Sequence, residues 1–80
     1  DAVPKGYMVI CFNKDVPGII GTIGTILGKN GINIAGMTFG RRTPGGRAIT
    51  VLNVDSFVPD EVIQELERAD NIYDARRIVL

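Results

Sequence analysis

The sequence predicts an α+β domain in which two helices cover one face of a four-stranded antiparallel sheet. Four segments are rich in β-branched and aromatic residues and are separated by turn residues, as strands are. Two further segments repeat apolar residues with the period of a helix, and the order along the chain is strand, helix, strand, strand, helix, strand. A length of 80 residues allows one such domain and no second.

Composition excludes several kinds of partner and site. The formal net charge is zero, whereas non-specific nucleic-acid binding needs a basic surface. The apolar runs are far shorter than the roughly 20 residues that cross a bilayer, so neither nucleic acid nor membrane is predicted as a partner. Cys11 is the only cysteine and histidine is absent, which excludes a CxxC metal or redox site. Its apolar neighbours predict a buried, reduced thiol and a cytoplasmic protein.

The first elements follow from turn and strand signals. Residues 1–6 are predicted to be the end of a linker and residues 7–80 the domain itself, because proline and glycine interrupt regular structure at the start. The absence of an initiator methionine leads us to expect a piece of a longer protein. Residues 7–12 are predicted to be the first strand and residues 13–16 a loop.

The first helix is predicted to have Pro17 in its first turn, where the missing N–H of proline has no helical partner. Asp15 lies two residues earlier, where a carboxylate accepts from free N–H groups and opposes the positive end of the helix dipole. The helix is expected to run to Lys29 and to end at Asn30 and Gly31, a pair typical of helix C-termini.

The first helix carries an aliphatic stripe and a glycine stripe. On a helical wheel the aliphatic side chains fall within about 120°; they are Ile19, Ile20, Ile23, Ile26 and Leu27. Gly21, Gly24 and Gly28 fill the adjacent arc of about 60°. Each glycine inside a helix costs about 0.5–1 kcal/mol relative to alanine. Three of them predict a surface that another backbone or a ligand approaches closely, not a catalytic centre.

The remaining elements complete the pattern. Residues 33–42 and 47–55 are predicted to be strands joined by a hairpin at residues 43–46. A helix opened by Pro59, with a buried stripe, precedes a last strand over residues 72–80; the stripe consists of Val62, Ile63, Leu66 and Ala69. With right-handed crossovers this order gives the ferredoxin-like βαββαβ fold. Apolar residues on both sides of the third strand, Ile49 and Val51 on the second side, lead us to expect that the helix-free face packs against something outside this chain.

The ferredoxin-like fold hosts enzymes, metal carriers, RNA binders and sensors, so the residues must decide among them. A metal carrier needs paired cysteines or histidines, and RNA recognition needs aromatic residues on the third strand; both are absent. A hydrolase of the acylphosphatase kind would need an arginine in the first loop, which offers Asn13 and Lys14 instead. No catalytic residue is predicted.

Residues 13–21, residues 31–37 and the Gly45–Gly46 hairpin resemble ACT domains, which are ferredoxin-like regulatory modules that sense amino acids. Within that family, residues 52–55 and 58–62 also resemble the C-terminal module of D-3-phosphoglycerate dehydrogenases, in which serine feeds back on serine biosynthesis. The resemblance implies that hydride transfer and the NAD site belong to other domains. This chain has no G-x-G-x-x-G unit, and no cofactor is predicted in it.

The resemblance further implies that two modules pair through an edge strand into eight strands and bind L-serine or another small amino acid at the seam. Asn13, Asp15 and Asn33 occupy the ligand-contacting positions. Asp15 can accept from the ligand's ammonium, and both asparagines can donate to its carboxylate or bond its hydroxyl. The N–H groups of Gly18 and Ile19 add donors at the helix N-terminus.

The implied homodimer interface lies on the first helix and the edge strand; its residues are Gly21, Gly24, Gly28, Ile34 and Gly36. Some family members have histidine at the position of Asn13 and asparagine at that of Asp15, which changes the charge of the site. Two alternatives stay open. One is the same domain in an L-serine dehydratase subunit, and the other is a structural dimerisation domain without a ligand.

Overall fold

The computed structural model describes residues 6–41 and 45–80, and its strands form one antiparallel sheet in the order β2-β3-β1-β4. The elements are β1 (Tyr7–Lys14), α1 (Ile19–Lys29), β2 (Ile34–Arg41), β3 (Arg47–Val54), α2 (Asp60–Arg68) and β4 (Ile72–Val79). This arrangement confirms the predicted ferredoxin-like βαββαβ fold. Residue 42 of the predicted second strand, residues 43–44 of the predicted hairpin and the predicted linker apart from Gly6 lie outside the described residues.

The core lies between the helices and one face of the sheet. Alternate residues of β1 and β3 point into it, together with the aliphatic stripe of α1. Its largest fully buried apolar side chains are Val9, Ile23, Leu27, Leu52, Val58 and Leu66. The predicted stripe of α1 is confirmed except at its margin, where Ile20 is 36% exposed beside the glycines. In α2, Val62 is buried and Ile63 and Ala69 are partly buried, as predicted.

The C-terminus of α1 follows the predicted glycine stop. Gly31 has a φ of 74°, and its N–H donates to the Gly28 carbonyl at 3.0 Å. The Ile32 N–H reaches back to the Leu27 carbonyl at 2.9 Å, which completes a Schellman motif. Asn30, the C-cap residue, also donates to Ile26 and to Glu65 of α2. The end of α1 is therefore tied to α2.

The N-terminus of α1 differs from the prediction. The Ile19 N–H donates to the Val16 carbonyl at 3.3 Å, with Pro17 and Gly18 between them. Gly18 has φ 87° and ψ −9°, which makes this a type II turn with proline and glycine at its central positions. Because a positive φ cannot belong to a right-handed helix, α1 begins only at Ile19. Pro17 thus belongs to a turn before the helix and not to its first turn.

Strand β1 is longer than predicted. Asn13 and Lys14, expected in a loop, pair with Ala48 and Arg47 of β3. Asn13 is fully buried, and both its Oδ1 and its Nδ2 make a hydrogen bond, so a polar residue can remain in the strand. The other boundaries move by one residue or two. Asn33 lies just before β2 and not within it. Pro59 is the N-cap residue of α2, whose first helical residue is Asp60.

The helix-free face of the sheet carries apolar and aromatic side chains, as the irregular pattern of β3 predicted. Ile49 is 45% and Tyr73 54% exposed there, and an open groove crosses the face between them. The Arg76 guanidinium lies 5.4 Å from the centre of the Phe12 ring and binds Asp74 at 3.0 Å. Its hydrogen bond lowers the pKa of the Asp74 carboxyl.

Gly31→Ala should lower the free energy of unfolding by about 1 kcal/mol, because an L-residue is strained at positive φ. Space is not the cause, since a Cβ at this position would meet no atom within 4 Å. Gly31→Asn is the matched control and should lose less, because asparagine adopts this conformation more readily. Urea denaturation measures both variants, and equal stability of wild type and Gly31→Ala would contradict the assignment.

Cys11 should be almost unreactive in the folded protein. Burial, assisted by the charge of Asp74, raises the pKa of its thiol to about 12. Since the thiolate is the reacting species, alkylation by iodoacetamide near neutral pH should be roughly a thousandfold slower than in the unfolded chain. Mass spectrometry after timed quenching measures both rates. A native rate within tenfold of the unfolded rate would show that the thiol is accessible.

Candidate functional site

Asn13 anchors the base of the loop between β1 and α1. Its Oδ1 accepts from the Thr50 hydroxyl at 2.9 Å, and its Nδ2 donates to the Lys14 carbonyl at 3.1 Å. Both Asn13 and Thr50 are fully buried. An amide NH₂ has two donors, so one N–H of Asn13 is left for a further partner. The structure therefore places Asn13 beneath the loop, where it orients the backbone that follows.

Backbone hydrogen bonds hold the loop itself, residues 15–18, from two sides. The Asp15 N–H donates to the Gly46 carbonyl at 2.7 Å, which joins the loop to the hairpin between β2 and β3. The Lys14 N–H donates to the Asn71 carbonyl at 2.8 Å, which joins it to the start of β4. Asp15 is partly exposed. Its carboxylate thus stands on a fixed backbone beside the start of α1.

One of the two donors predicted at the N-terminus of α1, the Ile19 N–H, is already used, and the Gly18 N–H is not used by a backbone hydrogen bond among the described residues. The Ile19 N–H is already bonded to Val16 within the type II turn, so the expectation that it binds a ligand is corrected. Among the described residues, no backbone hydrogen bond uses the N–H groups of Gly18, Ile20 or Gly21. Sequence analysis missed Ile20 and Gly21. The Pro17–Gly18 pair could have indicated them, because it is typical of a type II turn. In such a turn the N–H of the fourth residue, here Ile19, donates to the carbonyl of the first, and the next free N–H groups are those of Ile20 and Gly21.

Asn33 lies at the opposite end of the sheet from Asn13 and Asp15. Its neighbour Ile34 pairs with Val54, which pairs with Tyr7 at the start of β1. Asn13 lies six residues further along the same strand. At the rise of a strand, this places the two asparagines about 20 Å apart along the sheet. One chain therefore does not bring Asn33 close to Asn13 and Asp15.

The three predicted interface glycines of α1 have open space, within the described part of the chain, where a side chain would begin. A Cβ built on Gly21, Gly24 or Gly28 meets no atom within 4 Å. Gly36 is different, because its Cβ would lie 3.5 Å from the amide of Asn53, an ordinary contact. Ile34 is partly buried against the core. Nothing in the described fold requires the helical glycines to be small.

The two edges of the sheet differ in charge. Strand β4 carries Asp74, Arg76 and Arg77, and such charges discourage pairing with another strand. Strand β2 has no charged residue before Arg41 at its end. It also presents apolar side chains on the helix side of the sheet, where Met37 is 46% exposed. The β2 edge is therefore the one suited to pairing.

Residues 6–41 and 45–80 lack two kinds of feature. No three side chains of the metal-ligating types come together there, and no helix there is both long and apolar enough to span a membrane. The features of the candidate site are thus the loop carboxylate, the donors at the start of α1 and the amide of Asn33.

The model of the ACT domain family matches residues 7–71. The chain is 45% identical over 80 residues to the D-3-phosphoglycerate dehydrogenase of Archaeoglobus fulgidus, with 98% of this chain and 15% of that protein covered. It is 40% identical over 80 residues to the enzyme of the same name from Bacillus subtilis, with 100% of this chain and 15% of that protein covered. The chain thus spans about 15% of the length of these curated relatives.

Solved structures show the same fold. A homoserine dehydrogenase from Thiobacillus denitrificans matches with a TM-score of 0.76 at 22% identity, over 99% of this chain and 18% of that one. The ACT domain of a GTP pyrophosphokinase from Chlorobium tepidum matches with a TM-score of 0.67 at 15% identity, over 94% and 100% of the two chains. Family model, relatives and architecture agree: the chain belongs to the ACT domain family.

Proposed function

We propose that this chain is the amino-acid-sensing module of a D-3-phosphoglycerate dehydrogenase and that it binds L-serine, or another small amino acid, between two copies. The identity to dehydrogenases over nearly the whole chain supports the choice of parent protein. In this proposal the module has no catalytic residue. Hydride transfer and the NAD site belong to the much larger part of the parent protein outside this chain.

One observation carries the proposal: the two halves of the candidate site lie at opposite ends of one sheet. Arg41 at the end of β2 pairs with Ala48, which pairs with Asn13. The end of β2 therefore lies level with Asn13 and the loop that follows it. Asn33 lies just before the start of β2. A single copy cannot close a site around one amino acid.

A two-fold axis at the β2 edge brings the halves together. Antiparallel pairing of β2 with its copy extends the sheet to eight strands and sets the start of one β2 beside the end of the other. Asn33 of one copy then meets the Asp15 loop of its partner. The symmetry makes two such sites, one at each end of the seam.

The same pairing gives the glycine stripe a purpose. Helix α2 packs against β4, so α1 is the helix nearer to β2 and to the seam. In the pair, the two copies of α1 approach each other across the seam with the exposed Gly21 and Gly28 and the half-buried Gly24 on their facing flanks. A stripe without Cβ atoms allows a second backbone to come close.

The groups at the seam suit the two charges of an amino acid. The N–H groups of Gly18, Ile20 and Gly21, with the positive end of the α1 dipole, attract a carboxylate. The Asp15 carboxylate accepts from an ammonium. The Asn33 amide of the other copy closes the site, while Asn13 supports the loop from below.

Gly24→Leu should weaken the dimer at least tenfold, because a bulky side chain would separate the two α1 helices. Sedimentation velocity over a concentration series measures the dissociation constant. Gln64→Leu is the matched control, since it puts the same side chain on the exposed face of α2. An equally strong dimer for Gly24→Leu and wild type would place the seam elsewhere.

Mixing two inactive variants tests the shared site directly. Asp15→Ala and Asn33→Ala should each lower L-serine affinity by roughly tenfold or more, because each removes a hydrogen bond to a charged group. In a refolded equimolar mixture, the heterodimer has one doubly mutated site and one intact site. Calorimetry should then recover about one quarter of the wild-type sites at wild-type affinity.

Failure of that recovery would mean that both residues act within one copy. If the wild type releases no heat with L-serine or any amino acid of a panel, while remaining dimeric, the module is a structural dimerisation domain. The wild-type titration therefore has to precede the variants.

A further inference from the structure

We infer that Asp55 is a positioning and specificity residue of this site: it fixes the Asn33 amide so that its carbonyl oxygen, backed by a carboxylate, receives the ligand's ammonium. The inference rests on the proposed function and adds a residue to it. It also changes the expected role of Asn33, which was predicted to donate to the ligand's carboxylate or to bond its hydroxyl.

Two hydrogen bonds connect Asn33 with Asp55. The Asn33 Nδ2 donates to the Asp55 Oδ2 at 2.6 Å, and the Asp55 N–H donates to the Asn33 carbonyl at 3.0 Å. Both residues are exposed, at the point where β2 begins and β3 ends. Main chain and side chain are therefore held together, although water reaches both. An exposed asparagine without such a partner would rotate among several rotamers.

The direction of the side-chain bond decides what Asn33 offers. Because its NH₂ group donates to Asp55, its Oδ1 lies on the other side of the planar amide. That oxygen has no hydrogen-bond partner among the described residues. It is an acceptor with a negative charge close behind it. This end of the site therefore attracts a cation and disfavours a carboxylate.

The two halves of the seam then have opposite character. The start of α1 in one copy offers N–H donors to a carboxylate, and the Asn33–Asp55 pair of the other copy offers oxygen acceptors. An ammonium has three N–H donors, enough for Asp15 of the first copy and Asn33 of the second. The ligand's orientation follows from this asymmetry.

The consequence is discrimination by the amino group. Glycerate has the carboxylate and terminal hydroxyl of serine but carries a hydroxyl in place of the ammonium. In the wild type it should bind at least roughly tenfold more weakly than L-serine, because it has no charge to place near Asp55. A site without the Asp55 charge should distinguish the two compounds less well.

Asp55→Ala and Asp55→Asn separate geometry from charge. Asparagine can still accept from Asn33, so Asp55→Asn should keep the amide in place and weaken L-serine binding by about tenfold. Asp55→Ala removes both effects and should weaken it by up to about a hundredfold. In both variants the ratio of L-serine to glycerate affinity should fall. Calorimetry on the dimeric chain measures the affinity of each variant for L-serine and for glycerate.

Glu61→Gln is the matched control, because it removes one exposed carboxylate from the start of α2 without touching Asn33. Circular dichroism and sedimentation show whether each variant keeps its fold and dimer. Where Asp55→Ala does not fold, Asp55→Asn alone decides. A change in the ratio of the two affinities is a readout that a merely structural role of Asp55 would not move.

Three results overturn the inference. The first is a wild-type affinity for L-serine in both Asp55 variants. The second is an unchanged ratio of the L-serine and glycerate affinities in a variant that binds L-serine more weakly. Either result would show that Asp55 does not take part in ligand recognition, and neither would contradict the shared site. A wild type that binds no amino acid overturns the proposed function together with this inference.

Discussion

The unpaired edge of β2 is the constraint on which the other features depend. The fold places β2 outermost, and along this eight-residue strand about every second residue points its backbone N–H and C=O to the side where no described strand lies. The opposite edge carries charges that discourage further pairing, whereas the β2 edge has no charged residue before its last position. In the proposed dimer, a second copy satisfies these groups with the same kind of hydrogen bond that holds the sheet together. Its two-fold symmetry then determines which parts of the surface meet.

The proposed seam explains why α1 contains three glycines. Three glycines inside one helix cost about 2–3 kcal/mol relative to alanine. A domain of this size has a total stability of only about 4–12 kcal/mol. Because a Cβ at any of the three would meet nothing within the described chain, an isolated copy would be more stable with alanine. In the proposed dimer the glycines lie at the seam, where the absence of Cβ atoms lets a second backbone come close.

Local sequence signals predicted the order of the elements, the buried stripe of α1 and its glycine stop, since each depends on neighbours within a few residues. Features that depend on distant residues were not predictable. The burial of Asn13 rests on Thr50, which is 37 residues away. The polarity of Asn33 rests on Asp55 across the pairing of β2 with β3, where the register shifts. The start of α1 was missed for a local reason, because Pro17 suits both a first helical turn and a type II turn, and only the positive φ of Gly18 decides.

A ligand that binds at the seam would also stabilise the pair of copies. If it binds the pair and not the single copy, then a hundredfold excess over its dissociation constant stabilises the pair by about 2.7 kcal/mol per site. Two equivalent sites together give about 5.4 kcal/mol, which is similar to the roughly 4–6 kcal/mol that the six helical glycines of two copies cost. By linkage, if ligand binding strengthens the association of the two copies, then association strengthens ligand binding by the same free energy. Gly6, where the described chain begins, lies at the Asn33 end of the sheet, because Tyr7 pairs with Val54 and Val54 with Ile34. In the proposed dimer, closure of the site on the Asn33–Asp55 pair would therefore act on the end of the sheet where β1 begins.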